Sequence, residues 1–121
     1  MNSENNVVLR YRDGRTERVS LEPIDPERQS FSVVRENGDK VDVPYTLLKA
    51  VFYPRTNPDA PLPQAEGSVL SVEFADGEVI RGTAHYNPER NGFFLVPHDR
   101  SKNERIFVVN SAISSIEVEK L

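Results

Sequence analysis

Four arginines are the best candidates for charge-based chemistry in this chain. Arg28 and Arg90 each follow Pro-Glu, in Pro26-Glu27-Arg28 and Pro88-Glu89-Arg90, while Arg81 and Arg105 stand inside stretches of alternating polarity. A guanidinium is planar, permanently charged and forked, which suits a carboxylate or phosphate. Arg28, Arg81, Arg90 and Arg105 are therefore candidate ligands for an anion or a partner's carboxylate. The competing reading is local: an ion pair, or a hydrogen bond to loop carbonyls that fixes the loop. Catalysis has no comparable candidate. His85 and His98 are the two histidines, and no carboxylate accompanies them at metal-ligand spacing. Ser111, Ser114 and Ser115 lack a nucleophile elbow and a placed base. The expectation is a protein that is not an enzyme and uses no metal or cofactor.

Composition bounds the rest. The chain has 121 residues, enough for one ordinary domain or two very small ones, and a net charge of −4. Residues 1–62 carry nine Lys/Arg against ten Asp/Glu, and residues 63–121 carry six against nine. Neither half has the basic footprint by which a general nucleic-acid binder releases counterions. Arg10, Arg12, Arg15 and Arg18 look basic together, but Asp13, Glu17 and Glu22 interleave them, as on a solvated hairpin face. Cysteine is absent, which excludes disulfides and thiolate metal sites. The polar start Met1-Asn2-Ser3-Glu4-Asn5-Asn6 has no signal-peptide pattern, and no apolar run reaches a membrane span. A cytoplasmic protein without membrane insertion is expected.

The positioning elements read as strands. Val7, Leu9 and Tyr11 alternate with Val8, Arg10 and Arg12, the period of a half-buried strand. Asp13-Gly14 turns the chain, because glycine accepts positive φ, and Arg15 to Glu22 returns. Ser30 to Glu36 and Lys40 to Val43 flank Asn37-Gly38, which predicts a two-residue hairpin. Pro44 to Leu48 suits one 3₁₀ turn, and Lys49 to Tyr53 a fifth strand. Pro54, Pro58, Pro61 and Pro63 mark an extended linker. The order then recurs. Leu70, Val72 and Phe74 lead to Asp76-Gly77, and Phe93/Leu95, Ile106/Val108 and Ile116/Val118 are the inward sets of the later strands. Asp-Gly and Pro-Glu-Arg recur with 11 intervening residues in the first stretch and 10 in the second. The expected fold is all-β: two tandem five-stranded SH3-like barrels at 1–53 and 68–121, joined by a Pro-rich linker at 54–67.

Aligning the two stretches sets Ser32 against Phe94, Asp42 against Phe107, and Phe52 against Glu117. Each of these phenylalanines points away from its own inward set. Phe52, Phe94 and Phe107 either bury against one another between the barrels or form a partner or homodimer surface.

Two further phrases carry a resemblance. Leu48-Lys49-Ala50-Val51-Phe52-Tyr53, and Asp76-Gly77-Glu78…Gly82…Asn91-Gly92-Phe93-Phe94-Leu95-Val96-Pro97…Asp99…Asn103-Glu104-Arg105-Ile106-Phe107-Val108-Val109, resemble a family of small bacterial cytoplasmic proteins. These carry a duplicated strand, Asp-Gly, strand unit and have no settled activity. The Asp-Gly…Gly pattern is also similar to Sm-like RNA-binding barrels, whose Asp-x-x-x-Asn turn and basic Arg-Gly loop are not matched. The functional expectation is a non-catalytic protein-binding adaptor or regulatory module in a bacterial cytoplasmic assembly. The alternative is a nucleic-acid or nucleotide-binding small β-barrel that uses Arg81, Arg90, Arg100 and Arg105.

Overall fold

Among the described residues ten stretches of alternating or continuous apolar character form strands, and all ten join one antiparallel sheet. A computed structural model of the protein describes residues 6–21, 30–54, 67–99 and 103–119. All but Asn6 of the expected N-terminal tail (residues 1–6), together with Pro23, Pro26, Arg28, residues 55–66 of the expected Pro-rich linker, and Arg100, lie outside the described residues, and Asn6 opens the first strand. The strands are β1 (Asn6–Tyr11), β2 (Thr16–Leu21), β3 (Ser30–Arg35), β4 (Lys40–Pro44), β5 (Leu48–Pro54), β6 (Ser68–Phe74), β7 (Val79–Ala84), β8 (Gly92–Pro97), β9 (Asn103–Val109) and β10 (Ile113–Val118). Single 3₁₀ turns at Tyr45–Leu47 and Asn110–Ala112 precede β5 and β10. Among the described residues there is no α-helix.

The strand order is β10-β6-β7-β8-β9-β5-β1-β2-β3-β4. Each half thus lays its fifth strand beside its first, followed by the second, third and fourth. The halves meet where β5 pairs with β9, Ala50 opposite Val108, Val51 opposite Phe107 and Phe52 opposite Ile106.

Three turns share one geometry, and it differs from the hairpin expected at Asn37-Gly38. Gly38 N–H donates to Arg35 O at 2.9 Å, and Arg35 N–H donates to Asp39 O at 2.9 Å. The turn therefore spans four residues and ends in a glycine bulge. A two-residue turn would need positive φ at both central positions. Only Gly38 has it, at 92°, and no non-glycine residue does among those described. Asn37 instead turns its side chain inward along the loop, Oδ1 accepting the Asp39 N–H at 2.9 Å. Asp13 accepts the Arg15 N–H at 3.0 Å and Asp76 the Glu78 N–H at 2.9 Å in the same way. That local bond is why Asp or Asn precedes the glycine.

Cross-strand partners share a face, so the pairing assigns each residue of the central strands to one side. Val51, Tyr53, Phe107 and Val109 join Val7, Leu9, Tyr11, Phe31, Val33 and Val43 in one apolar core. Ala50, Phe52, Ile106 and Val108 join Leu70, Val72, Phe74, Phe93 and Leu95 in another, on the opposite face. The N-terminal half curls over one face and the C-terminal half over the other. Residues 48–53 of β5 and 106–109 of β9 are buried on both sides and serve both cores. Val118, expected inward, is 53% exposed, because β10 is an edge strand with no neighbour to cover it. Gly92 and Gly82 admit the close approach of β9 and β8: a Cβ at Gly92 would strike the Val108 carbonyl and the Phe107 ring, and one at Gly82 the Val96 carbonyl.

Phe107 belongs to a C-terminal strand but fills the N-terminal core. Phe107→Ala should therefore cost about 3–5 kcal/mol. Denaturation followed by tyrosine fluorescence, dominated by Tyr11, Tyr45 and Tyr53 of the N-terminal half, should shift together with far-UV circular dichroism.

Candidate functional site

The three phenylalanines singled out by polarity all leave their own half's core for the other's. Phe107 is fully buried in the N-terminal core, and its ring lies 5.7 Å from that of Tyr45. Phe94 packs beside it, ring centroids 5.1 Å apart, and is partly buried against the same core. Phe52 goes the other way, into the C-terminal core. It therefore does not stack on Phe94 and Phe107, because residue 52 lies on the opposite face of the sheet. Of the three, Phe94 keeps the most surface open.

Phe94 meets Arg105 at the seam. Arg105 pairs with Tyr53 across the β5–β9 ladder. Its guanidinium lies 4.3 Å from the Tyr53 ring centroid and 4.6 Å from that of Phe94. The two rings are themselves edge-on at 5.7 Å. Stacking uses the faces of the guanidinium and leaves its in-plane N–H donors for another group. Among the described residues no carboxylate forms an ion pair with Arg105. Burial pushes the Tyr53 hydroxyl above its usual pKa, and the nearby Arg105 charge opposes that. The site thus combines a half-buried cation with an apolar floor, held by the neighbouring strands β5, β9 and β8.

The other candidate arginines are elsewhere. Arg81, on β7, is ion-paired to Glu119 and so is not an open anion site. Glu119 follows β10, and the strand order places it beside β6 and within reach of β7, a neighbourhood that residue spacing alone does not reveal. Arg90 lies in the turn before β8. The Asn110 side-chain amide donates to the carbonyls of Asn87 at 2.7 Å and Arg90 at 2.8 Å, which fixes that loop. Arg28 is outside the described residues. His85 and His98 are both exposed.

A cluster of charges that the sequence reading did not single out joins the two halves. Lys49, on β5, is 7% exposed. Its Nζ reaches Asp76 Oδ2 at 2.8 Å and also Glu78, and lies 4.8 Å from the Phe74 ring centroid. Arg10 on β1 reaches Glu78 at 3.3 Å while lying over the Phe52 ring at 4.4 Å. Arg12 donates to Leu48 O at 3.2 Å and to Ser111 of the second 3₁₀ turn. Cations of the N-terminal half therefore grip the Asp76-Gly77-Glu78 turn of the C-terminal half. The available signal was a single lysine inside the apolar run Leu48–Tyr53. A buried ammonium requires a partner.

A family model described as a family of unknown function (DUF6982) matches residues 3–120. The chain belongs to that family. The DUF6982 match runs across both halves, and so spans the seam as well as the two cores. No curated protein and no solved structure matches the chain. Among the described residues no helix is long and apolar enough to cross a membrane.

Lys49 and the Glu78 N–H stabilise the charged form of Asp76 and hold its carboxyl below the usual carboxylate range. The folded pKa is below the unfolded one, so the stabilisation is full above the unfolded value and fades as pH falls through the folded one. Asp76→Asn should melt below wild type near neutral pH, and the gap should narrow below about pH 4 in thermal melts.

Proposed function

We propose that the protein is a non-catalytic binding module built from two copies of one five-stranded unit of SH3-like barrel type, acting as an adaptor in a bacterial cytoplasmic assembly. The same strand order in both halves, the matched glycine turns at Gly14 and Gly77, and the matched 3₁₀ turns support the duplication. Tyr11 and Phe74 end equivalent strands, are both buried, and pair with Leu48 and Ile113 at equivalent places. The observation that carries the binding role is Arg105 stacked on Tyr53 and Phe94 without a carboxylate partner among the described residues. Such a cation on an aromatic floor recognises a protein that presents an acidic side chain next to an apolar one.

Arg105→Glu should abolish capture of the cognate protein from cell extract, a loss of at least about tenfold for a truncated charge pair. Arg15→Glu, on the distant β1–β2 turn, should leave capture intact. Quantitative mass spectrometry of both pull-downs makes the comparison, with circular dichroism to confirm folding. Recovery of nucleic acid instead, with affinity falling steeply with salt, would contradict the reading.

A further inference from the structure

β5 and β10 hold equivalent places in the two halves but end differently. In the C-terminal half Arg81 lies opposite Ser71, which lies opposite Glu117. In the N-terminal half Arg18 lies opposite Val8, which lies opposite Phe52. Arg18 and Arg81 therefore stand at the same register. Two residues beyond Glu117 comes Glu119, whose carboxylate pairs with Arg81 and whose N–H donates to Val69 O at 2.8 Å. Two residues beyond Phe52 comes Pro54, which has neither a carboxylate nor an N–H. Neither bond made by Glu119 has a counterpart among the described residues of the N-terminal half.

A cavity of about 520 Å³ occupies that position, within the range of ligand pockets. Its wall includes Val8, Arg18, Val34, Arg35, Glu36 and Pro54. Arg35 is already engaged: its Nε is 2.9 Å from Glu17, though not aligned as a hydrogen bond. Arg18 forms no ion pair among the described residues. Val34 is exposed and Val8 half-buried, so one cation sits beside an open apolar floor.

We infer that this cavity binds an extended acidic peptide of a partner protein. Its carboxylate pairs with Arg18 as Glu119 pairs with Arg81. Its backbone N–H supplies the donor that Pro54 lacks, and a neighbouring apolar side chain covers Val8 and Val34. The cavity is on the opposite face of the sheet from Arg105, because Phe52 and Tyr53 point to opposite sides, so it does not rest on the Arg105 site.

The test uses the chain's own C-terminal solution as a probe: the blocked peptide acetyl-Ser-Ile-Glu-Val-Glu-amide, matching residues 115–119, titrated into ¹⁵N-labelled full-length protein. Saturable shifts are expected at the amides of Val8, Arg18, Val34 and Gly38, with a dissociation constant of about 1 mM or tighter. Arg18→Gln, or Glu119→Gln in the peptide alone, should each weaken binding by about tenfold or more. Arg105→Gln should leave it unchanged. Absence of saturation, equal binding of the Gln-ended peptide, or binding that survives Arg18→Gln would overturn the proposal. So would inorganic phosphate shifting the same amides when the peptide does not, since that describes a small-anion site.

Discussion

The pairing of β5 with β9 is the constraint on which the molecule rests. These two strands occupy the centre of the sheet, and Ala50–Tyr53 of β5 and Ile106–Val109 of β9 are apolar on both faces. A strand buried on both faces reads as a continuous apolar run, and both segments do. Each donates alternate residues to the other half: Phe107 and Val109 to the N-terminal core, Ala50 and Phe52 to the C-terminal one. A unit of roughly fifty residues is marginal by itself. Exchanging side chains across a shared ladder lets two such units complete each other's interior.

Charge at the seam follows from that pairing. Burying Lys49 in an apolar strand is costly unless its ammonium is met, and Asp76 and Glu78 meet it. The pairing is directional. Arg10, Arg12 and Lys49 come from the N-terminal half, while Asp76, Glu78 and Ser111 come from the C-terminal half. These groups are satisfied in the register that the β5–β9 pairing sets. At the outer edges the same sheet positions are polar. Ser32 donates to Asp42 at 2.7 Å where Phe94 stacks on Phe107, and Glu117 replaces Phe52. Polar side chains on a free edge discourage further strand pairing.

Much of this was legible in the residues, for physical reasons. Period-two alternation placed Val7, Leu9, Tyr11, Leu70, Val72 and Phe74 inside, because a strand can bury only one face against its own half. The Asp-Gly and Asn-Gly pairs located the reversals, although the turn at Gly38 took four residues because Asn37 keeps a negative φ. The polarity mismatch of Ser32 with Phe94 and Asp42 with Phe107 correctly indicated different surroundings. What covered those rings was not legible. Alternation records which side a residue faces, not which distant strand lies there, and β5 and β9 are far apart in sequence. For the same reason the partners of Lys49 and Arg81 stayed hidden. Both ion pairs depend on neighbours that only the completed strand order creates.

Native-state hydrogen exchange tests the shared-core account most directly. If the halves complete each other, the buried amides of β1 to β5 and of β6 to β10 will open with one common free energy, with β5 and β9 among the slowest to exchange. Two separate opening free energies, one for each half, with β5 and β9 exchanging no more slowly than the edge strands β4 and β10, would contradict it.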